Sequence, residues 1–211
     1  MSTPEFEQFK TNIDYARRLI TGGKALEGIR GLSAANYGDL AAAEPADLYR
    51  AAWSQAVAAL DHWMHQALIE RVARLTNDTG NDRPAALKRL AIPFEVAERM
   101  HEEAIEDVLR EYLREELGRT SYQKSQRITE GLRLVTTDSP STIWNTVGGR
   151  LGMPASAVKE RQDAIIRRRN RIAHHADLDH VGRRTPMSAA EAEAAVDWIN
   201  DLAEAISHVL K

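Results

Sequence analysis

Apolar residues recur at steps of three and four along almost every long segment of the chain, and none keeps the period-two alternation of a strand. The strongest pattern opens at Pro45 and runs to about Leu75. Trp53, Ala56, Val57, Leu60, Met64, Ala67, Leu68, Val72 and Leu75 form its buried stripe. It ends at the turn cluster Asn77-Asp78-Thr79-Gly80-Asn81-Asp82. Ahead of it, the pattern predicts a helix from Pro4 to about Ile20, stopped by Thr21-Gly22-Gly23, then a loop holding Gly28, Gly31 and Gly38. Downstream, Pro84 starts a short helix to about Leu90. Pro93 begins another that reaches about Leu117, with a break near Glu102. Ser121 to Leu134 reads as a further helix, and Ser141 and Thr142 cap one from Ile143 to Leu151. Gly152-Met153-Pro154 separates that from a helix over about Ser156 to His175. The last helix starts near Ser188, with Glu191 at capping-box spacing, and buries Ala195, Ile199, Leu202, Ile206 and Val209. The expectation is an all-α fold without internal repeats.

Length and composition narrow the class. At 211 residues, 43% apolar and 28% charged, the chain suits one well-buried soluble domain with an appended element. The absence of cysteine excludes disulfides, thiolate metal sites and a cysteine nucleophile, and fits a reducing compartment. The start, Met1-Ser2-Thr3-Pro4-Glu5-Phe6-Glu7, is too acidic and polar for a signal peptide. No apolar run approaches the ~20 residues of a membrane span. A cytoplasmic protein without membrane attachment is expected.

The net charge of −3 argues against coating nucleic acid by charge alone, but the charges are unevenly spread. Lys159, Arg161, Arg167, Arg168, Arg169, Arg171, Arg183 and Arg184 crowd one segment, against Glu160, Asp163, Asp177 and Asp179. From Glu95 to Glu116 the excess is acidic. Either the basic patch binds a polyanion or the two segments pair with each other.

Chemistry concentrates in Ile166-Arg167-Arg168-Arg169-Asn170-Arg171-Ile172-Ala173-His174-His175-Ala176. On a helical wheel Val158, Ile165, Ile166, Ile172, Ala173 and Ala176 form an apolar arc with Arg169 in its middle. A charge on a packed face needs a partner or a ligand. Asn170 and two adjacent histidines follow, and histidine is the side chain best suited to proton transfer near neutral pH. A guanidinium to hold phosphate and an imidazole to move a proton suggest phosphodiester chemistry.

Arg169-Asn170-Arg171-Ile172-Ala173-His174 resembles the motif of the HEPN superfamily, helical domains many of which are metal-independent ribonucleases. The resemblance extends to Leu48-Tyr49-Arg50-Ala51-Ala52-Trp53 with Ala58-Ala59-Leu60-Asp61-His62-Trp63-Met64-His65, which look like the long early helix of the RiboL-PSP branch. Ser125-Gln126-Arg127-Ile128-Thr129-Glu130-Gly131-Leu132, then Ile143-Trp144, then Arg167 to Asp177 follow that branch in order. The resemblance implies a HEPN-like helical bundle over residues 41–211, with mid-chain helical insertions and an extra N-terminal helix and loop, 1–40, packed on it. It also implies RNA cleavage, without cofactor, at a composite site where the motif helices of a homodimer meet, in a defence or toxin setting with an antitoxin or defence-system partner. The 2′-hydroxyl must lose a proton as it attacks phosphorus, and the 5′-oxygen must gain one as it leaves. His174 would serve as general acid or base and Arg169 would stabilise the phosphate charge. Asn170 would orient the ring or bind phosphate.

Several readings stay open beside this one. Positions 169 and 174 lie about 140° apart on an ideal helix. Either the helix distorts near Ala173, or the residues meet across a two-fold axis. A one-residue-longer spacing pairs Arg168 with His174, or Arg169 with His175. Arg167, Arg168 and Arg171 are a solvated face or RNA contacts, and His175 is a helix C-terminal cation or a supporting group. Asp61 and His65, one turn apart, are a surface or interface pair or support the site. His174, His175, Asp177, Asp179 and His180 could be read as metal ligands, but no complementary set stands at zinc-like spacing elsewhere, and no metal is expected. Thr146-Val147-Gly148-Gly149-Arg150 follows no strand and is no phosphate loop. The four tryptophans suit core or interface better than base stacking. Rival classes are a HEPN-like binding or dimerisation module without catalysis, and a DNA-contacting helix-turn-helix over Gly152–Arg171.

Overall fold

Eight α-helices and one turn of 3-10 helix make up the regular structure among the described residues of the computed structural model, which are 3–30, 44–77 and 83–210. The helices are α1 (Pro4–Arg30), α2 (Pro45–Asn77), α3 (Phe94–Glu102), α4 (Ile105–Gly118), α5 (Ser125–Leu132), α6 (Pro140–Leu151), α7 (Ala155–His175) and α8 (Ala189–Ser207). Among the described residues there is no strand; a single antiparallel bridge joins Leu178 and Arg184. No described helix is long and apolar enough to cross a membrane.

Several element boundaries differ from the sequence expectation, two of them because a tertiary partner overrides local signals. α1 runs straight through Thr21-Gly22-Gly23 and on past Gly28. A Cβ at position 23 would collide with the ring of Tyr49, which is fully buried. The glycine therefore serves close approach, and burying a tyrosine outweighs its ~1 kcal/mol helix cost. Gly31, Gly38 and Asp78–Asp82 lie outside the described residues. The short helix expected after Pro84 is one 3-10 turn, Leu87–Arg89, and the break near Glu102 falls at Glu103 and Ala104, both extended. α5 begins at Ser125 instead of Ser121, because Tyr122 and Gln123 are bound to Asp61. α6 starts earlier than expected, with Pro140 in its first turn and Ser139 as the cap, its Oγ accepting from the Thr142 N–H at 3.1 Å.

The chain divides into two compact units. The first comprises the described parts of Met1–Leu60 and Gln162–Asp201, that is α1, the start of α2, the later part of α7 and most of α8. α1 buries Phe9, Ile13, Ala16 and Ile20 at steps of four, three and four. Removing each large side chain of this stripe from water contributes about 1.5–3 kcal/mol. The pairs Arg17–Asp197 at 3.1 Å and Lys24–Glu193 at 2.5 Å tie α1 to α8. Both are exposed, so they set register more than stability. Gln162 is fully buried and accepts from the Trp198 indole at 3.0 Å, joining α7 to α8 through a satisfied polar pair.

The second unit comprises the described parts of Asp61–Arg161 and Leu202–Lys211. Its core holds Trp63, Met64, Leu68 and Ile69 of α2, Leu109 and Leu113 of α4, Ile128 and Leu132 of α5, and Ile143, Trp144 and Val147 of α6. The acidic run finds arginines close by. Arg99 bonds Glu103 at 2.9 Å and Glu111 at 2.8 Å, and Arg110 bonds Glu70, Glu106 and Asp107 at 3.0–3.1 Å. Gly148 is buried where α6 turns back into α7; a Cβ there would lie 2.5 Å from the Met153 carbonyl oxygen.

Candidate functional site

α7 is an uninterrupted α-helix through Ala173 and His175, so the distortion considered near Ala173 does not occur. The divergence of about 140° between positions 169 and 174 therefore stands within one chain. The apolar arc is covered only along its first part. Val158, Ile165 and Ile166 are buried, Ile172 is half-buried, and Ala173 and Ala176 are exposed. Arg169 and Asn170 are half-buried, while Arg167, Arg171, His174 and His175 are exposed. Among the described residues, the side chains of Arg169, Asn170 and His174 enter no hydrogen bond or ion pair.

What ends the helix is a short run of left-handed backbone. Ala176 and Asp177 have φ of 49° and 57°, a region that costs an ordinary L-residue roughly 1–2 kcal/mol. The Asp177 N–H closes back on the Arg171 carbonyl at 2.9 Å and the Leu178 N–H on that of His175 at 3.0 Å, capping two carbonyls at the end of α7. The following loop is tied by Asp179, whose Oδ1 accepts from the N–H groups of Val181 and Arg183, both at 2.9 Å. The Thr185 N–H bonds the Asp177 carbonyl at 2.9 Å.

Asp177 itself is fully buried. Its Oδ2 accepts from Arg50 Nε at 3.0 Å and from Arg168 Nη2 at 2.8 Å. Arg50, on α2, also donates to the Thr185 carbonyl at 2.8 Å and to Asp47 at 3.0 Å. Arg168 donates to the Pro186 carbonyl at 3.0 Å. One carboxylate between two guanidiniums thus fastens the end of α7 and the start of the loop to α2. Trp53 adds a second tie, its indole donating to the Ile165 carbonyl at 3.1 Å. Asp177 Oδ1 and Arg168 Nε are buried without a partner.

Arg168 is therefore neither on a solvated face nor free for a ligand; it is turned inward onto Asp177. The same rule that singles out Arg169, a charge on an apolar face, also marks Arg50, which stands on α2 between Ala46 and Trp53 at helical spacing. Sequence spacing alone gives no sign that Asp177, 127 positions later, is its partner.

Asp61 and His65 have a different job from the surface or interface pair expected. Asp61 Oδ1 accepts from the Tyr122 N–H at 2.6 Å, and Oδ2 from the Gln123 amide at 2.7 Å. The His65 ring lies 2.7 Å (Nδ1) from the Asp61 carbonyl oxygen, and 2.9 and 3.1 Å (Nε2) from those of Thr120 and Leu117. The pair holds the turn between α4 and α5. Trp63, Trp144 and Trp198 are buried, and Trp144 donates to Thr129 Oγ1 at 2.7 Å, all in packing roles. Among the described residues no three histidine, aspartate or glutamate side chains gather as a metal set. Compared with protein-family models, curated proteins and solved structures, the chain matches none.

Proposed function

We propose that the chain is a metal-independent endoribonuclease in which Arg169, Asn170 and His174 from two copies form one composite site. The observation that carries this reading is the contrast along α7. Arg168 is bound to Asp177, whereas Arg169, Asn170 and His174 have no described partner and remain accessible. That favours pairing Arg169 with His174 over Arg168 with His174. Beside them the apolar residues Ile172, Ala173 and Ala176 are partly or fully exposed, and so are Leu178 and Val181 in the adjoining loop. Contiguous exposed apolar surface marks an interaction face, and a two-fold contact there brings residues 140° apart on one helix toward their counterparts on another. The 2′-oxygen attacks the adjacent phosphorus, one His174 takes its proton, and the 5′-oxygen leaves with a proton from the other, producing a 2′,3′-cyclic phosphate. Arg169 bears the extra phosphate charge. The resemblance to HEPN ribonucleases supports the chemistry and a defence or toxin setting in the cytoplasm.

Purified protein is expected to cleave RNA in EDTA and leave cyclic or 3′-phosphate ends. His174→Ala is expected to lower the rate by ~10²–10⁴-fold while the protein stays folded. Strict dependence on a divalent metal, or wild-type cleavage by His174→Ala, would sink the mechanism. The second reading is a binding or dimerisation module without catalysis. What favours it is that no described side chain orients the His174 ring; the absence of cleavage with intact dimerisation would establish it.

A further inference from the structure

We infer that Asp177 is a positioning residue for His174, with Arg50 and Arg168 as its anchors, an inference that rests on the ribonuclease reading. His174 lies in the last turn of α7, and nothing on its own side chain fixes where that turn points. The turn is set instead from behind. The Asp177 N–H holds the Arg171 carbonyl, the Leu178 N–H holds that of His175, and both depend on Ala176 and Asp177 keeping left-handed backbone. Ala176 is neither glycine, asparagine nor aspartate, so its left-handed conformation does not sustain itself. It persists because the buried Asp177 carboxylate is gripped by Arg50 Nε at 3.0 Å and Arg168 Nη2 at 2.8 Å, while Arg50 also takes the Thr185 carbonyl across the loop. Breaking the grip frees the backbone to leave the left-handed region, and the His174 ring moves with it.

The test compares wild type, Asp177→Asn and Arg50→Met, with Arg50→Met as the fallback should Asp177→Asn fold poorly. Amide hydrogen exchange at Asp177 and Leu178 (position 177 in each variant) is expected to quicken on the order of 10–100-fold in both variants, the factor that a hydrogen bond to a charged group corresponds to. The His174 ring resonances should broaden or shift. In cleavage assays kcat is expected to fall by about 100-fold, as for a small misplacement of a reacting group, with KM little changed. Adding Ala176→Gly to Asp177→Asn supplies a residue at ease with positive φ and is expected to restore much of the protection and of kcat. A carboxylate acting only through its charge gives no such rescue. Unchanged exchange and unchanged His174 resonances in both variants overturn the inference, and so does a failed rescue. Wild-type protein that cleaves no RNA overturns the ribonuclease reading instead, while the exchange and resonance data still decide whether Asp177 sets the turn.

Discussion

Arg168 and Arg169 are neighbours on one helix, yet they belong to two kinds of surface. On the side of Arg168, a guanidinium, a buried carboxylate and a second guanidinium from α2 close on one another and on the carbonyls of Thr185 and Pro186. On the side of Arg169, a half-buried guanidinium, Asn170 and an exposed histidine sit among apolar residues that the chain leaves partly uncovered. Composition does not separate the two sides, since both are arginine beside isoleucine and alanine. What separates them is whether the fold brings a carboxylate within reach. The first face uses its charge to hold the backbone, and the second leaves its charge without a described partner.

The largest effect expected is on the closed face. Asp177→Ala removes the buried carboxylate that Arg50 and Arg168 share, leaving Arg50 only its exposed pairing to Asp47, and breaking a buried pair in this way costs about 3–5 kcal/mol. Urea unfolding of the variant checks this. A loss under 1 kcal/mol would mean the two arginines find water or other acceptors and that the clamp is not what closes this face.

Legibility followed the same divide. Helix periodicity located every α-helix among the described residues, because burial of an apolar stripe is written in the spacing. Two of the boundaries that moved did so through long-range contacts. α1 continues past Gly23 because Tyr49 lies against it, and α5 starts late because Asp61 holds the chain at Tyr122 and Gln123. The open face at Arg169, Asn170 and His174 was readable as short spacing within one helix. The closed face was not, since Arg50, Arg168 and Asp177 come from distant segments and meet only in the folded chain.

The connection that starts at Asp177 ends at a second anchor, and the next effect is expected there. Ser188 Oγ accepts from the Glu191 N–H at 3.2 Å, and Glu191 Oε2 accepts from the Ser188 N–H at 2.8 Å, a reciprocal cap on α8. Ser188→Ala is expected to cost about 1 kcal/mol in urea unfolding. The backbone N–H of Ser188 is the main cause that holds the Glu191 carboxyl below the usual glutamate range; its hydroxyl helps and, more weakly, so does the Arg168 charge. A carboxyl depressed in the folded state stabilises above its ordinary range, and that contribution is lost as pH falls through the folded value. Glu191→Gln should therefore flatten the acid limb of the stability curve. An unchanged acid limb would show that the cap does not form in solution.

The smallest effect on stability is expected at the open face, and it is the sharpest test of the contrast. Arg169 and His174 contribute no described hydrogen bond or ion pair, and one is half-buried and the other exposed. Removing a side chain with no partner forfeits no pairing and leaves no buried partner unsatisfied, so Arg169→Ala and His174→Ala should stay within about 0.5 kcal/mol of wild type in urea unfolding at matched protein concentration. A measured cost above 2 kcal/mol at Arg169 would place it with Arg168, as a second structural arginine with a partner in the folded protein. The phosphate-binding role proposed for Arg169 would then fall. Near-neutral stability together with lost cleavage would instead set the two faces of α7 apart by what each does, one holding the helix end in place and the other acting on RNA.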